Sequence, residues 1–114
     1  TLLYLMVFYQ VNYRMRADAM FKQPRTITFL NDEQNKVDKK KLVLGVFVND
    51  QAKAYPIEVI GYHHQVRDTI GGEPIMITYC TVCRTGRAFK PVVNGEPENF
   101  RLVGMDHFNA MFED

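Results

Sequence analysis

The chain has 114 residues, 46% of them hydrophobic and 24% charged, with a formal net charge of +1. That length holds one folded domain with a modest core, and the composition is that of a globular chain, not a disordered one. The basic residues are scattered apart from Lys39-Lys40-Lys41, so no nucleic-acid surface is indicated. Serine is absent, which excludes a Ser/His/Asp hydrolase. The only adjacent glycines, Gly71-Gly72, lack the lysine and helix of a phosphate-binding loop.

Residues 1–9 are almost wholly apolar, but a membrane-spanning helix needs about 20 such residues. The stretch reads as the C-terminal end of a membrane anchor; a core helix and the apolar part of a signal peptide are the alternatives. Tyr4, Tyr9 and Tyr13 suit an interfacial aromatic belt, followed by Arg14 and Arg16. With no Gly or Pro before Pro24, helix is predicted to continue through Phe21, giving an N-terminal helical unit over 1–23. The remainder, 24–114, reads as a β-rich domain. By this reading the chain is held on the extracytoplasmic, periplasmic side of a membrane, although arginines just after the apolar run favour the opposite orientation.

After Pro24 the period changes. Thr26–Leu30 alternates like a strand, and 31–41 is polar enough for an exposed loop. Leu42–Val48 is apolar on both faces and is expected to be a central strand. Asn49-Asp50-Gln51 is a hairpin turn, with the return strand running through Tyr55 to Pro56, where pairing stops. Ile57–Tyr62 reads as a short helical turn or bend broken by Gly61. His63–Ile70 and the run from Ile75 form a hairpin about the Gly71-Gly72 turn. A third hairpin is expected about Asn94-Gly95, joining 86–93 to 99–103. The fold class is therefore mainly β (α+β): an antiparallel meander with one N-terminal helix, packed around Leu44, Val46, Val48, Ile75, Ile77, Phe89 and Leu102.

The chemistry is concentrated in Tyr79-Cys80-Thr81-Val82-Cys83-Arg84, where a strand delivers the chain's two cysteines onto a turn. Haem c attachment would require histidine where Arg84 stands. A redox dithiol, a half-site for a metal such as zinc, and a plain disulfide all remain open. For a metal, the ligands are Cys80, Cys83 and His63, since hairpin pairing brings His63 or His64 towards Cys80. For redox chemistry, Cys80 is the candidate nucleophile and Cys83 the resolving thiol. Asp68 is either a carboxylate orienting His63 or a turn residue. Arg84 and Arg87 are either thiolate-stabilising cations or solvated ones. His107 is a weaker ligand candidate, and the six methionines are too dispersed for a copper-binding run.

From Leu42 onward the succession Leu-Val-Leu-Gly-Val, Ala-Lys-Ala-Tyr-Pro, Tyr-His-His-Gln-Val-Arg-Asp, Gly-Gly-Glu-Pro and Thr-Tyr-Cys-Thr-Val-Cys resembles the family known only as domain of unknown function 3179. The resemblance covers residues 42–114 and places Tyr79, Cys80, Cys83, His63, Asp68 and Asn109 at the family's motif positions. Thr81, Arg84, His64 and Arg67 depart from the family's usual residues. The resemblance implies an exported protein and a domain continuing past Asp114, and it implies no reaction. Two functions follow as expectations. One is a membrane-tethered domain whose Cys-x-x-Cys/His site binds metal or performs thiol redox chemistry; the other is a non-enzymatic accessory subunit of a membrane complex with a structural disulfide.

Overall fold

The computed structural model describes residues 1–107 and 109–114. It is mostly antiparallel strand, with a few short helices that include one at the N-terminus. Helix α1 spans Leu2–Tyr9 and passes into a π-type turn over Gln10–Arg14. A second short helix, α2, spans Ala17–Met20. The single helix expected through Phe21 is thus broken at Arg16, whose ψ of 144° is extended. Arg16 Nη2 lies 2.6 Å from Asp18 Oδ2, a pairing at a spacing of two residues that a continuous helix does not bring together. No residue of α1 is buried. Among the described residues no helix is long and apolar enough to cross a membrane; at 1.5 Å per residue α1 covers about 12 Å.

Segment 24–30 forms no strand. Its apolar residues are used instead in side-chain packing: Ile27 lies against the core, and the Phe29 ring meets that of Tyr55 edge-on at 5.4 Å. Strand β1 (Val43–Val48) pairs with β2 (Gln51–Pro56) and with no other strand, so the expected central position is not found. Leu44, Val46 and Val48 pack on the core while Val43 and Phe47 face outward. Val43 and Phe47, on the second face, are exposed. Pairing ends at Val43 opposite Pro56, as the proline predicts.

The central strand is β4 (Glu73–Cys80), hydrogen-bonded to β3 (Gln65–Ile70) on one side and to β5 (Thr85–Phe89) on the other. Its residues Ile75 to Tyr79 are buried on both faces. One face joins Tyr55, Ile60, Val66 and Ile70 in the core, where each large apolar side chain contributes roughly 1.5–3 kcal/mol. Ile75, Ile77 and Leu102 are buried as expected, whereas Phe89 is 43% exposed near the end of edge strand β5. Helix α3, Ile57–His63, runs straight through Gly61 and buries Ile60.

Three two-residue turns have positive φ at both positions: Asn49-Asp50, Gly71-Gly72 and Asn94-Gly95. These are the turns read from the sequence, and their twist suits tight hairpins. The first two also touch, with Asn49 Nδ2 donating to Gly71 O at 2.9 Å and the Gly71 amide to Gln51 Oε1 at 2.9 Å. The Asn94-Gly95 hairpin is much shorter than expected, joining only β6 (Val92–Val93) and β7 (Glu96–Pro97). Pro91 and Pro97 lack amide donors and bound the pairing. Beyond them, β8 (Arg101–Asp106) pairs with β9 (Asn109–Glu113), a hairpin the sequence did not announce.

Candidate functional site: the Cys80–Cys83 turn

Cys80 closes β4 and pairs with Thr85, the first residue of β5, so residues 81–84 form a four-residue hairpin loop. Arg84 reaches the left-handed region at φ +52°, where a non-glycine residue is uncommon. Two close approaches hold the hairpin. A Cβ on Gly86 would lie 2.8 Å from Leu44 Cδ2, so β1 seats directly on β5 only because that residue has no side chain. At Gly61 the corresponding Cβ would lie 3.3 Å from Thr81 Cγ2, so α3 rests against the turn itself.

Within the turn, Cys80 Sγ and Cys83 Sγ are 2.8 Å apart, and the Cys83 amide donates to Cys80 Sγ at 3.3 Å. The two sulfurs are not equivalent. Donation from the Cys83 thiol, helped by the amides of Cys83 and Val82, draws the Cys80 pKa below that of an ordinary thiol despite some desolvation. Cys83, as the donor beside a developing thiolate, is pushed up. Cys83 is exposed and Cys80 half-buried, so an external sulfur has access to the pair.

The structure does not bring His63 to the cysteines. His63 and His64 lie in no strand: His63 ends α3, and His64 is its left-handed cap at φ 61°. His63 Nδ1 donates to Lys22 O at 2.6 Å, and its ring meets Tyr62 edge-on. His64 is the histidine nearer the cysteine strand, its Nδ1 donating to Tyr79 O at 3.1 Å. Since a carbonyl only accepts, each ring carries its proton on Nδ1. Among the described residues, no group of three or more His, Cys, Asp or Glu side chains is arranged to hold a metal ion. Cys80 and Cys83 supply half of a tetrahedral zinc site, and the third ligand expected at His63 is turned elsewhere. His107 pairs with Asp106 at 2.9 Å, and Asn109 Nδ2 donates to His107 O at 3.1 Å, so both serve the β8–β9 connection.

Asp68 neither orients His63 nor makes a turn. Its carboxylate takes Lys53 Nζ at 2.9 and 3.0 Å, Tyr55 Oη at 2.6 Å and the Thr69 amide at 2.7 Å, tying β3 to β2. Burial opposes its ionisation, but these donors prevail and hold its pKa below the usual carboxylate range. Burial and the adjacent carboxylate push the Tyr55 phenol well up. Lys53 also lies 4.4 Å from the Phe29 ring centroid. The sequence reading missed this cluster. Its one available signal was Lys53 and Tyr55 two apart on a strand, hence on one face. A groove of about 900 Å³ runs beside it, lined in part by Ile27, Phe29, Val59 and His63, and neither cysteine reaches it.

A family model described as a protein of unknown function, DUF3179, matches residues 21–110. The chain belongs to this family. The DUF3179 match starts at residue 21 and not at 42, so it takes in the segment carrying Gln23, Ile27 and Phe29 as well as the cysteine turn. Helix α1 lies outside it. No curated protein and no solved structure matches the chain.

Proposed function

We propose that this DUF3179 domain carries out thiol–disulfide exchange at Cys80 and Cys83, tethered to a membrane through α1 on its extracytoplasmic side. The observation that carries the reading is the close sulfur pair: two thiols 2.8 Å apart, with the Cys83 amide donating to Cys80 Sγ at 3.3 Å and the Cys80 pKa drawn down. Cys80 thiolate attacks one sulfur of an external disulfide, forming a mixed disulfide and releasing the other sulfur as thiolate. Cys83, deprotonated, then attacks Cys80 Sγ and releases the second external sulfur. The protein is oxidised by two electrons and the external disulfide is reduced to two thiols. A metal site is the less favoured use of the same sulfurs, because no third His, Cys, Asp or Glu side chain is grouped with them among the described residues.

Support for tethering comes from α1, an eight-residue helix, Leu-Leu-Tyr-Leu-Met-Val-Phe-Tyr, with apolar side chains on every side and none of them buried. Such a surface is stable where lipid or a larger apolar assembly covers it. An oxidising compartment outside the cytoplasm would supply the disulfides such a site uses. Titration of the protein in dithiol/disulfide buffers, read by thiol alkylation and mass spectrometry, tests the exchange. A single reversible two-electron transition lost in both Cys80→Ala and Cys83→Ala is expected. Thiols that stay reduced throughout, or stoichiometric zinc retained on the purified protein and lost in the same variants, would overturn it.

A further inference from the structure

The edge of β5 beside the cysteines supplies a place for a substrate and a chemical preference for it. β5 is the outer strand of the sheet β3-β4-β5 and is hydrogen-bonded to β4 alone, so its far side offers backbone donors and acceptors along Thr85–Phe89. The strand starts immediately after the turn, with Thr85 directly opposite Cys80. An added strand would lie with β5 between it and Cys80, and would reach the sulfurs where it continues past Thr85 over the turn. Two cations flank this edge, Arg84 in the turn and Arg87 in the strand, both exposed. Among the described residues neither has a carboxylate within ion-pair distance, in contrast to Lys90 further along, which pairs with Glu73 at 2.8 Å. Val82, at the tip between the cysteines, is 60% exposed.

We propose that the substrate is a disulfide-bearing protein segment, extended and acidic, that adds to the edge of β5 and presents its disulfide to Cys80. The proposal rests on the exchange reading above and names what that chemistry acts on. Pairing along β5 supplies orientation without regard to side chains, and the acidic residues meet Arg84 and Arg87. The resulting step is the exchange already written, with the segment's disulfide as the two-electron oxidant.

The probe is a pair of eight-residue peptides, each with one cysteine held as a mixed disulfide with thionitrobenzoate. One carries glutamates at alternate positions and the other lysines. The pre-reduced full chain should release one thionitrobenzoate thiolate and one peptide thiol for each disulfide formed within the protein. The acidic peptide should react about tenfold faster at low salt, and the advantage should shrink as salt is raised. Arg87→Glu should reverse the preference between the two peptides. N-methylating alternate backbone amides of the acidic peptide, in each of the two possible registers, should remove the advantage in one register. Equal rates for both peptides, with exchange itself intact, would overturn the substrate assignment alone. An advantage that survives N-methylation in both registers would overturn strand addition. Failure to release thionitrobenzoate from either peptide would overturn the exchange chemistry beneath it.

Discussion

The molecule holds two polar clusters, and they are built on opposite terms. At Asp68 every strong group is met: the carboxylate takes four donor contacts, Lys53 also donates to Thr69 O at 2.8 Å, and the Tyr55 hydroxyl is spent on the carboxylate. The cluster is half-buried, joins two sheets that share no backbone pairing, and keeps the Asp68 carboxyl ionised and the Tyr55 phenol protonated. At the cysteine turn Cys83 is exposed and Cys80 half-buried, a non-glycine residue sits in the left-handed region, and the interaction between the sulfurs lowers one pKa and raises the other. The first arrangement fixes charges that stabilise the fold. The second leaves two thiols within reach of solvent, the condition the proposed exchange needs.

The largest effect expected from breaking this contrast lies in the turn. Cys80→Ser should abolish exchange with external disulfides. Cys83→Ser should stop after the first attack and accumulate the mixed disulfide on Cys80, visible as an adduct in intact-mass spectra. Neither substitution removes buried apolar surface, so urea midpoints of the reduced proteins should stay close to that of the parent. Full activity in Cys80→Ser would reverse the assignment of nucleophile and resolving thiol.

Asp68→Ala should show the converse. It strands Lys53 and Tyr55 without their shared acceptor at the junction of β2 and β3, and loss of one partner from such a cluster costs about 3 kcal/mol. Equilibrium urea unfolding should show the loss, while the exchange rate of the folded variant should stay near the parent's. A large fall in exchange with intact stability would mean that the two clusters are coupled. The acid limb sharpens the same point. Asp68 has a lower pKa folded than unfolded, so between the two values the unfolded chain binds more protons. Its contribution is present above the ordinary carboxylate value near 4 and is lost as pH falls through the depressed one. Asp68→Asn should flatten that part of the stability profile; an unchanged slope would show that other carboxylates control it. At the turn, the exchange rate should instead rise with pH through an inflection below 9.0, the ordinary thiol value, because Cys80 is shifted down.

How much of this was legible in the sequence follows from the range of the interactions involved. Turns are set by two or three residues, and Asn49-Asp50, Gly71-Gly72 and Asn94-Gly95 were all readable. The pairing of β3 with β4 followed from one of them, and so did the burial of Ile75 and Ile77. Strand placement was not readable for β1. An apolar run on both faces marks a central strand only if two neighbours exist, and Leu42–Val48 found one. The histidine nearer the cysteine strand is His64 and not the favoured His63, for a local reason. Reading His63–Ile70 as a single strand placed His63 beside Cys80, but α3 continues to His63 and a left-handed cap at His64 resets the direction of both rings. Cys80 and Cys83 were legible as a pair because four residues of sequence hold them both. The Lys53–Asp68 pair spans 15 residues and two strands, and the shared face of Lys53 and Tyr55 on β2 does not say which residue of β3 meets them.

The smallest expected effect separates backbone from charge at Arg84. A non-glycine residue in the left-handed region costs roughly 1 kcal/mol, and glycine removes that strain while adding some freedom to the unfolded chain. Arg84→Gly should therefore raise stability by up to about 1 kcal/mol, whereas Arg84→Ala keeps the strain and should not. Both remove the same charge. If the cation serves an acidic substrate, the two variants should lose the same part of the preference for the glutamate peptide despite their different stabilities. If instead the strained backbone is what aims the sulfurs, Arg84→Gly should slow exchange with every disulfide, charged or not, and Arg84→Ala should leave the uncharged rate untouched. Measuring the two variants on acidic, basic and uncharged disulfides, with urea midpoints alongside, thus assigns the residue's part in the turn to its guanidinium or to its main chain.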